Sequence, residues 1–193
     1  TELRVEEQTD STLFSFSNQY LYKYPRLFIS QLLICYYKNM NEFTSKKLGE
    51  VLAFAILGNE TIERSEVAFR EAIGNELTAH ILEMNDMHAK NIRHLAETNG
   101  MSEMMEAKAQ KTKDKLSKMR DLYLGEKWND IGELFEWFSF FEGASYGHWM
   151  VIKGISETSE DAGMAELAED GANFHFELLS HVADELQQIG EGK

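Results

Sequence analysis

The sequence predicts an all-α fold, a multi-helix bundle forming a single domain over residues 1–193. Three observations predict it. One proline and 13 glycines in 193 residues leave few turn-forming positions, which suits a few long helices better than many short strands. Apolar residues recur at helical spacing over long segments, and no segment reads convincingly as a strand. Hydrophobic residues make up 43% of the chain, enough to build a sizeable core at this length.

Taken in order, residues 1–10 read as a polar lead-in and 11–23 as a first helix ending near Pro25. Pro25 is suited to open the next helix, PRLFISQLLICYYK, because a helix's first residue needs no backbone N–H. The run KNMNEFTS interrupts the apolar period and offers Asn41, Thr44 and Ser45 as caps. SKKLGEVLAFAIL then reads as a third helix ending at Gly58-Asn59. From 61 to 99, a stripe of Ile62, Phe69, Ile73, Leu77, Met84, Met87 and Leu95 predicts one long helix, with a bend allowed at Gly74. A charged helix follows, from Met101 to Gly125. An aromatic one covers 128–154 and is apolar nearly all round, so it belongs at the centre. ISETSEDAG links it to a last helix over about 163–189.

The formal net charge is −14, from 33 acidic and 19 basic residues. Nucleic acid and anionic membranes both require a positive footprint, so neither is expected as a partner. No stretch approaches ~18 uninterrupted apolar residues, so no membrane span is expected. The single cysteine, Cys35, excludes an internal disulfide, and its apolar neighbours suit packing rather than nucleophilic chemistry. The acidic start lacks a signal-peptide pattern, and the expected location is the cytoplasm.

Ionisable residues fall where a core should be. On the 61–99 helix, His80 sits at the middle of the apolar stripe, with Glu76 and Glu83 on one flank and His88 on the other. On the aromatic helix, Phe135, Phe138, Phe141 and Trp149 define the inner face, and Glu142 lies among them. On the last helix, Leu167, Gly171, Phe174, Leu178 and Val182 face inward, bordered by His175 and His181, with Glu177 one turn before His181. Burying such groups costs several kcal/mol unless they satisfy one another or share a cation. Helix bundles build metal sites in this way, from inward Glu and His on facing helices. Imidazole with carboxylate suits iron, manganese or zinc, and the absence of thiolate clusters argues against a structural zinc site. His80 alone equally suits a hydrogen-bonded core histidine, and Glu83 a solvated flank. His148 suits packing or a hydrogen bond, and His94 the surface.

The segment GNELTAHILEMNDMHAKNIRHLAETNGMS resembles the heme-oxygenase-like diiron oxidases, within the wider group of ferritin-like helical metalloproteins. The resemblance implies that His88 is a metal ligand. It implies a further ligand in Glu142, 54 residues on, and a final cluster of the form His-x-x-x-Asp-x-x-His in NFHFELLSHVAD. That cluster departs from the pattern. His181 matches its last histidine, but Leu178 stands at the aspartate and Phe174 at the first histidine, with His175 and Glu177 beside them. The first-helix carboxylate would be Glu76 or Glu83. The expected ligands are therefore Glu76, His88, Glu142, His175 and His181, with His80, Glu83 and Glu177 as second choices or as groups orienting the ligands.

By this resemblance the protein is expected to be a non-heme iron-dependent oxidase or oxygenase, with one or two iron ions, or manganese, acting on a small organic substrate with dioxygen. A homodimer is compatible with this expectation. Two other readings use the same residues. Glu63-x-x-Glu66 and Glu83-x-x-Asp86 resemble the magnesium motif of all-α nucleoside triphosphate pyrophosphatases, which carry the two halves on separate antiparallel helices. A non-catalytic helical binding protein would hold the same His and Glu residues as satisfied core polar groups.

Overall fold

A glycine resets the helical phase in the middle of the chain and decides which polar residues enter the core. The computed structural model describes residues 25–159 and 161–192, with side chains from Glu42 onward. They form five α-helices and, among the described residues, no strand: α1 (Pro25–Arg64), α2 (Glu66–Thr98), α3 (Ser102–Leu124), α4 (Ile131–Ser156) and α5 (Ala162–Gly190). The chain divides at Asn41/Glu42 into two units. Of the first, only the backbone of the opening part of α1 is described, so the expected helix over 11–23 and the packing of Cys35 lie outside the described residues. The second unit, from Glu42, contains both core and candidate site.

Pro25 opens α1 as expected, but the breaks expected at 38–45 and at Gly58-Asn59 are absent, and α1 continues to Arg64. The residues with capping chemistry make tertiary contacts instead. Ser45 is buried and its Oγ donates to the Met101 carbonyl oxygen at 3.1 Å. Asn59 donates from Nδ2 to the Leu82 carbonyl (3.1 Å) and to Asp86 Oδ1 (3.0 Å), which ties the end of α1 to α2. A polar residue that finds a partner on a neighbouring helix need not end its own.

Gly74 has φ 84° and ψ 163°, a conformation that a side chain disfavours, so α2 is broken there within one continuous run. Before it, Ala68 and Phe69 are buried. After it, the buried set is Thr78, Ile81, Asn85, His88, Ile92 and Leu95, an i, i+3/i+4 series. Phe69 and Ile81 lie about 120° apart in phase on an unbroken helix at 100° per residue. The single stripe expected through Gly74 is therefore corrected: Leu77, Met84 and Met87 are only partly buried, and His80 points outward.

The last two helices start on aspartates. Asp130 Oδ1 accepts from the backbone N–H groups of Gly132 (3.1 Å) and Glu133 (3.2 Å). Asp161 Oδ1 accepts from Gly163 (2.9 Å) and Met164 (3.2 Å) in the same way. Each satisfies two of the N–H groups that a helix start leaves without partners. As expected, Phe135, Phe138, Phe141 and Trp149 of α4, and Leu167, Gly171, Phe174, Leu178 and Val182 of α5, are buried.

The core has two apolar halves. One gathers Leu48, Val51, Ile92, Met105, Trp149 and Leu167 with their neighbours. The other is richer in rings, with Phe54, Phe69, Phe135, Phe138, Phe141 and Phe174. Among the described residues, no helix is long and apolar enough to cross a membrane.

One buried carboxylate ties three helices together. Glu50 of α1 is 8% exposed and receives Lys47 at 2.8 Å and Lys108 of α3 at 2.7 Å, while His148 Nδ1 of α4 lies 3.0 Å away. Burial alone would raise the Glu50 carboxyl pKa, but the two ammonium groups hold it below the usual carboxylate value. Burial holds His148 below the usual imidazole value despite the Glu50 charge, so near neutral pH it donates to Glu50 as a neutral ring.

Candidate metal centre

At the seam between the two core halves, four ionisable side chains from three helices come together. α2 supplies His88, fully buried at 0% exposure; α4 supplies Glu142 at 1%; α5 supplies His175 at 1% and the half-exposed Asp170. Helical spacing explains their entry. His88 follows Ile81 and Asn85 on the face set by the break at Gly74. Glu142 adjoins Phe141, and His175 is four residues past Gly171.

The groups form two acid–imidazole pairs. His175 Nδ1 lies 2.5 Å from Glu142 Oε2, and His88 Nε2 lies 3.1 Å from Asp170 Oδ2. A carboxylate can only accept, so the hydrogen of each pair sits on the ring nitrogen. In neutral rings the lone pairs then fall on His88 Nδ1 and His175 Nε2, and both atoms are buried without a hydrogen-bond partner. The ring centroids of His88 and His175 are 6.0 Å apart. Trp149 flanks both, 5.3 Å from His88 and 6.1 Å from His175, where it stacks. Phe174 closes the same space, 5.4 Å from His88.

Burial pushes the His88 pKa below the usual imidazole value of 6.5, and the Asp170 carboxylate opposes it. The unfolded chain therefore binds a proton at this position more readily than the folded one. Stability from His88 is present above pH 6.5 and is lost as pH falls through that value towards the depressed folded value. His148 is shifted the same way and adds to the same window. Urea midpoints measured from pH 7.5 to 5 are expected to fall on acidification, and His148→Gln is expected to flatten part of that fall. A midpoint that rises on acidification over this range would contradict the argument.

The expected ligand set is only partly assembled. His88, Glu142 and His175 do converge. Glu76 is exposed on α2, just past the break. His80 and Glu83 are also exposed and line a surface groove with Asp86 and Lys90. All three belong to the face of an unbroken stripe that Gly74 rotates away from the core. Glu177 points outward from α5. His181 is 38% exposed, and its nearest acid is Glu185 at 3.8 Å. Six residues past His175, it is about 120° away from it and so off the inward face. His94 is exposed, as expected.

Three polar residues, Asp170, Asn85 and Ser145, are absent from the expected set. Asp170 lies three residues after Leu167 and four before Phe174, so it shares their stripe spacing. Asn85 is 3% exposed, three residues before His88, and its Oδ1 has no partner. Ser145, three residues after Glu142, is likewise fully buried with its Oγ unpartnered. Spacing from His88 and from Glu142 is the sequence signal for Asn85 and Ser145.

Asp170 connects the interior to the outside. It lines a cleft of 570 Å³ between α2 and the start of α5, with Met87, Asn91, Leu95, Glu166 and Leu167 among the walls. Beyond it lie His88 and then the pair of His175 and Glu142. Among the described residues, no three His, Cys, Asp or Glu side chains form a ready-made cage around one ion. The two lone-pair nitrogens nonetheless suit a borderline-soft cation, since imidazole is a ligand of choice for iron, zinc and copper. No family model, no characterised protein and no solved structure matches the chain.

Proposed function

We propose that this protein is a non-heme iron-dependent oxidase or oxygenase with a heme-oxygenase-like bundle, acting on a small organic substrate with dioxygen. The observation that supports the reading is the pair of buried imidazoles, His88 and His175. Each is held by a carboxylate on one nitrogen and is unpartnered on the other. Histidines that ligate metals commonly donate their second ring N–H to a carboxylate in this way. Manganese would suit the same donors.

Iron held by these rings would supply the activation of dioxygen. The chain's own residues do the rest. Glu142 and Asp170 fix which ring nitrogen carries hydrogen and how each ring is turned. Trp149 and Phe174 keep water from the space beside the rings. Asp170, bonded to His88, also lines the surface cleft, the side from which a small molecule would approach. The test is to supply ferrous iron to metal-free protein without oxygen, remove the excess and measure bound iron. Iron near one equivalent, followed by dioxygen uptake on admission of air, is the expected result; no retained iron would refute the reading.

One observation favours the second reading. Glu63 closes α1, the break at Gly74 parts Glu66 from Glu83 and Asp86 within α2, and Asn59 of α1 bonds Asp86, an arrangement that would suit the two acidic halves of a magnesium pyrophosphatase. Against it, Glu63, Glu66, Glu83 and Asp86 are all exposed, and Glu66 is paired with Arg70 at 2.7 Å. Magnesium-dependent release of pyrophosphate from nucleoside triphosphates, abolished by Glu63→Gln and indifferent to His88→Gln, would select it.

A further inference from the structure

We propose that the interior takes a single transition-metal ion between His88 Nδ1 and His175 Nε2, with Asp170 and Glu142 acting as anchors behind the rings rather than as ligands. The inference rests on the metal reading above and narrows it to a mononuclear, two-imidazole site.

The assignment follows from which atoms are already engaged. Glu142 Oε2 is taken by His175 Nδ1 at 2.5 Å, and Asp170 Oδ2 by His88 Nε2 at 3.1 Å. An acid committed to the far side of a ring orients that ring; the vacant lone pair is on the other nitrogen. Those two nitrogens are buried and have no partner, a condition they share among the described residues with the neighbouring Trp149 Nε1 and with His181 Nε2, among others. The spacing of the rings fits one ion. With metal–nitrogen bonds of ~2.1 Å and ~1.2 Å from nitrogen to ring centre, one ion joins rings whose centres lie up to ~6.5 Å apart. The observed separation is 6.0 Å.

The surroundings fit one ion better than two. The rings of Trp149 and Phe174 occupy the space beside His88. Asp170 has a double position, bonded to the interior ring and 47% exposed in the cleft. It is therefore the positioning residue that the solvent can reach.

The experiment uses the full chain, stripped of metal and titrated anaerobically with ferrous iron alone. One iron per chain, with two imidazole nitrogens in the coordination shell by X-ray absorption, is the expected result. Asp170→Asn, at a half-exposed position, is expected to weaken iron binding ~10–100-fold without abolishing it. Nitrogen NMR on the metal-free chain gives a readout independent of iron: hydrogen on Nε2 of His88 and on Nδ1 of His175 in the parent, with the His88 preference lost in Asp170→Asn. Two irons per chain, or carboxylate oxygen bound to iron in place of one imidazole, would overturn this inference and leave the oxidase reading standing. No bound iron would overturn both. Unchanged affinity in Asp170→Asn together with an unchanged His88 tautomer would overturn the anchoring role.

Discussion

Replacing Glu142 by Ala is expected to destabilise the protein by ~2–4 kcal/mol, from a buried imidazole N–H left without its acceptor and the cavity left behind. Glu142 is 1% exposed and sits 2.5 Å from a His175 that is equally buried. Removing the carboxylate leaves the imidazole's Nδ1 without its partner and opens a cavity among Phe138, Phe141 and Trp149, three rings of the same helix face. Domains of this kind have only ~5–15 kcal/mol in total, so the variant should be near the limit of folding. Glu142→Gln keeps the volume and an acceptor and should recover more than half of the loss. Urea unfolding of the three proteins at pH 7 measures this directly. A loss below ~1 kcal/mol in Glu142→Ala would mean that water replaces the carboxylate, and the pair would not be the sealed unit described above.

The second large effect is expected at Gly171. A Cβ built there would stand 2.5 Å from Trp149 Cδ2 and Cε3, closer than any real side-chain contact. Trp149 is fully buried and cannot swing away without displacing the two imidazoles it flanks. Gly171→Ala is therefore expected to cost ~1–3 kcal/mol through overpacking, although Ala is the better helix former. It should also disturb the candidate site, seen as altered Trp fluorescence and weakened iron binding. The control is Gly147→Ala on α4, where nothing lies within 4 Å; there the same change should be neutral or stabilise by up to ~1 kcal/mol. If both variants behave alike, the close approach of α5 to Trp149 does not govern this region.

The helical class, the cores of α4 and α5 and the burial of Glu142 are legible because their periodicity is local and uninterrupted. Phe135, Phe138, Phe141 and Trp149 repeat at three- and four-residue spacing, and a carboxylate inside that series stands out. α2 is legible only up to Gly74. A φ of 84° cannot be read from a glycine that also fits inside a helix, so a stripe carried across the break takes the wrong phase. That single error draws His80, Glu76 and Glu83 inward and passes over the truly buried Asn85. The continuity of α1 past Ser45 and Asn59 is hidden for another reason. Both residues have good capping chemistry, and only the neighbouring helices reveal that Met101 and Leu82 take their hydrogen bonds. Asp170 escapes notice because an acid next to a glycine resembles ordinary solvent-facing sequence, even where it keeps the spacing of Leu167 and Phe174.

The break at Gly74 also divides the chain into stretches with unequal tolerance to changes in length. A residue inserted between Glu66 and Ile73 would alter a short segment whose register ends at the glycine. One inserted between Asn75 and Met87 would turn His88 by about 100° and replace it at the seam with a neighbour. Gene variants that lengthen or shorten the first stretch shift Phe69 against Phe135 and Phe138, whereas those in the second strip the interior of one of its two imidazoles in a single step.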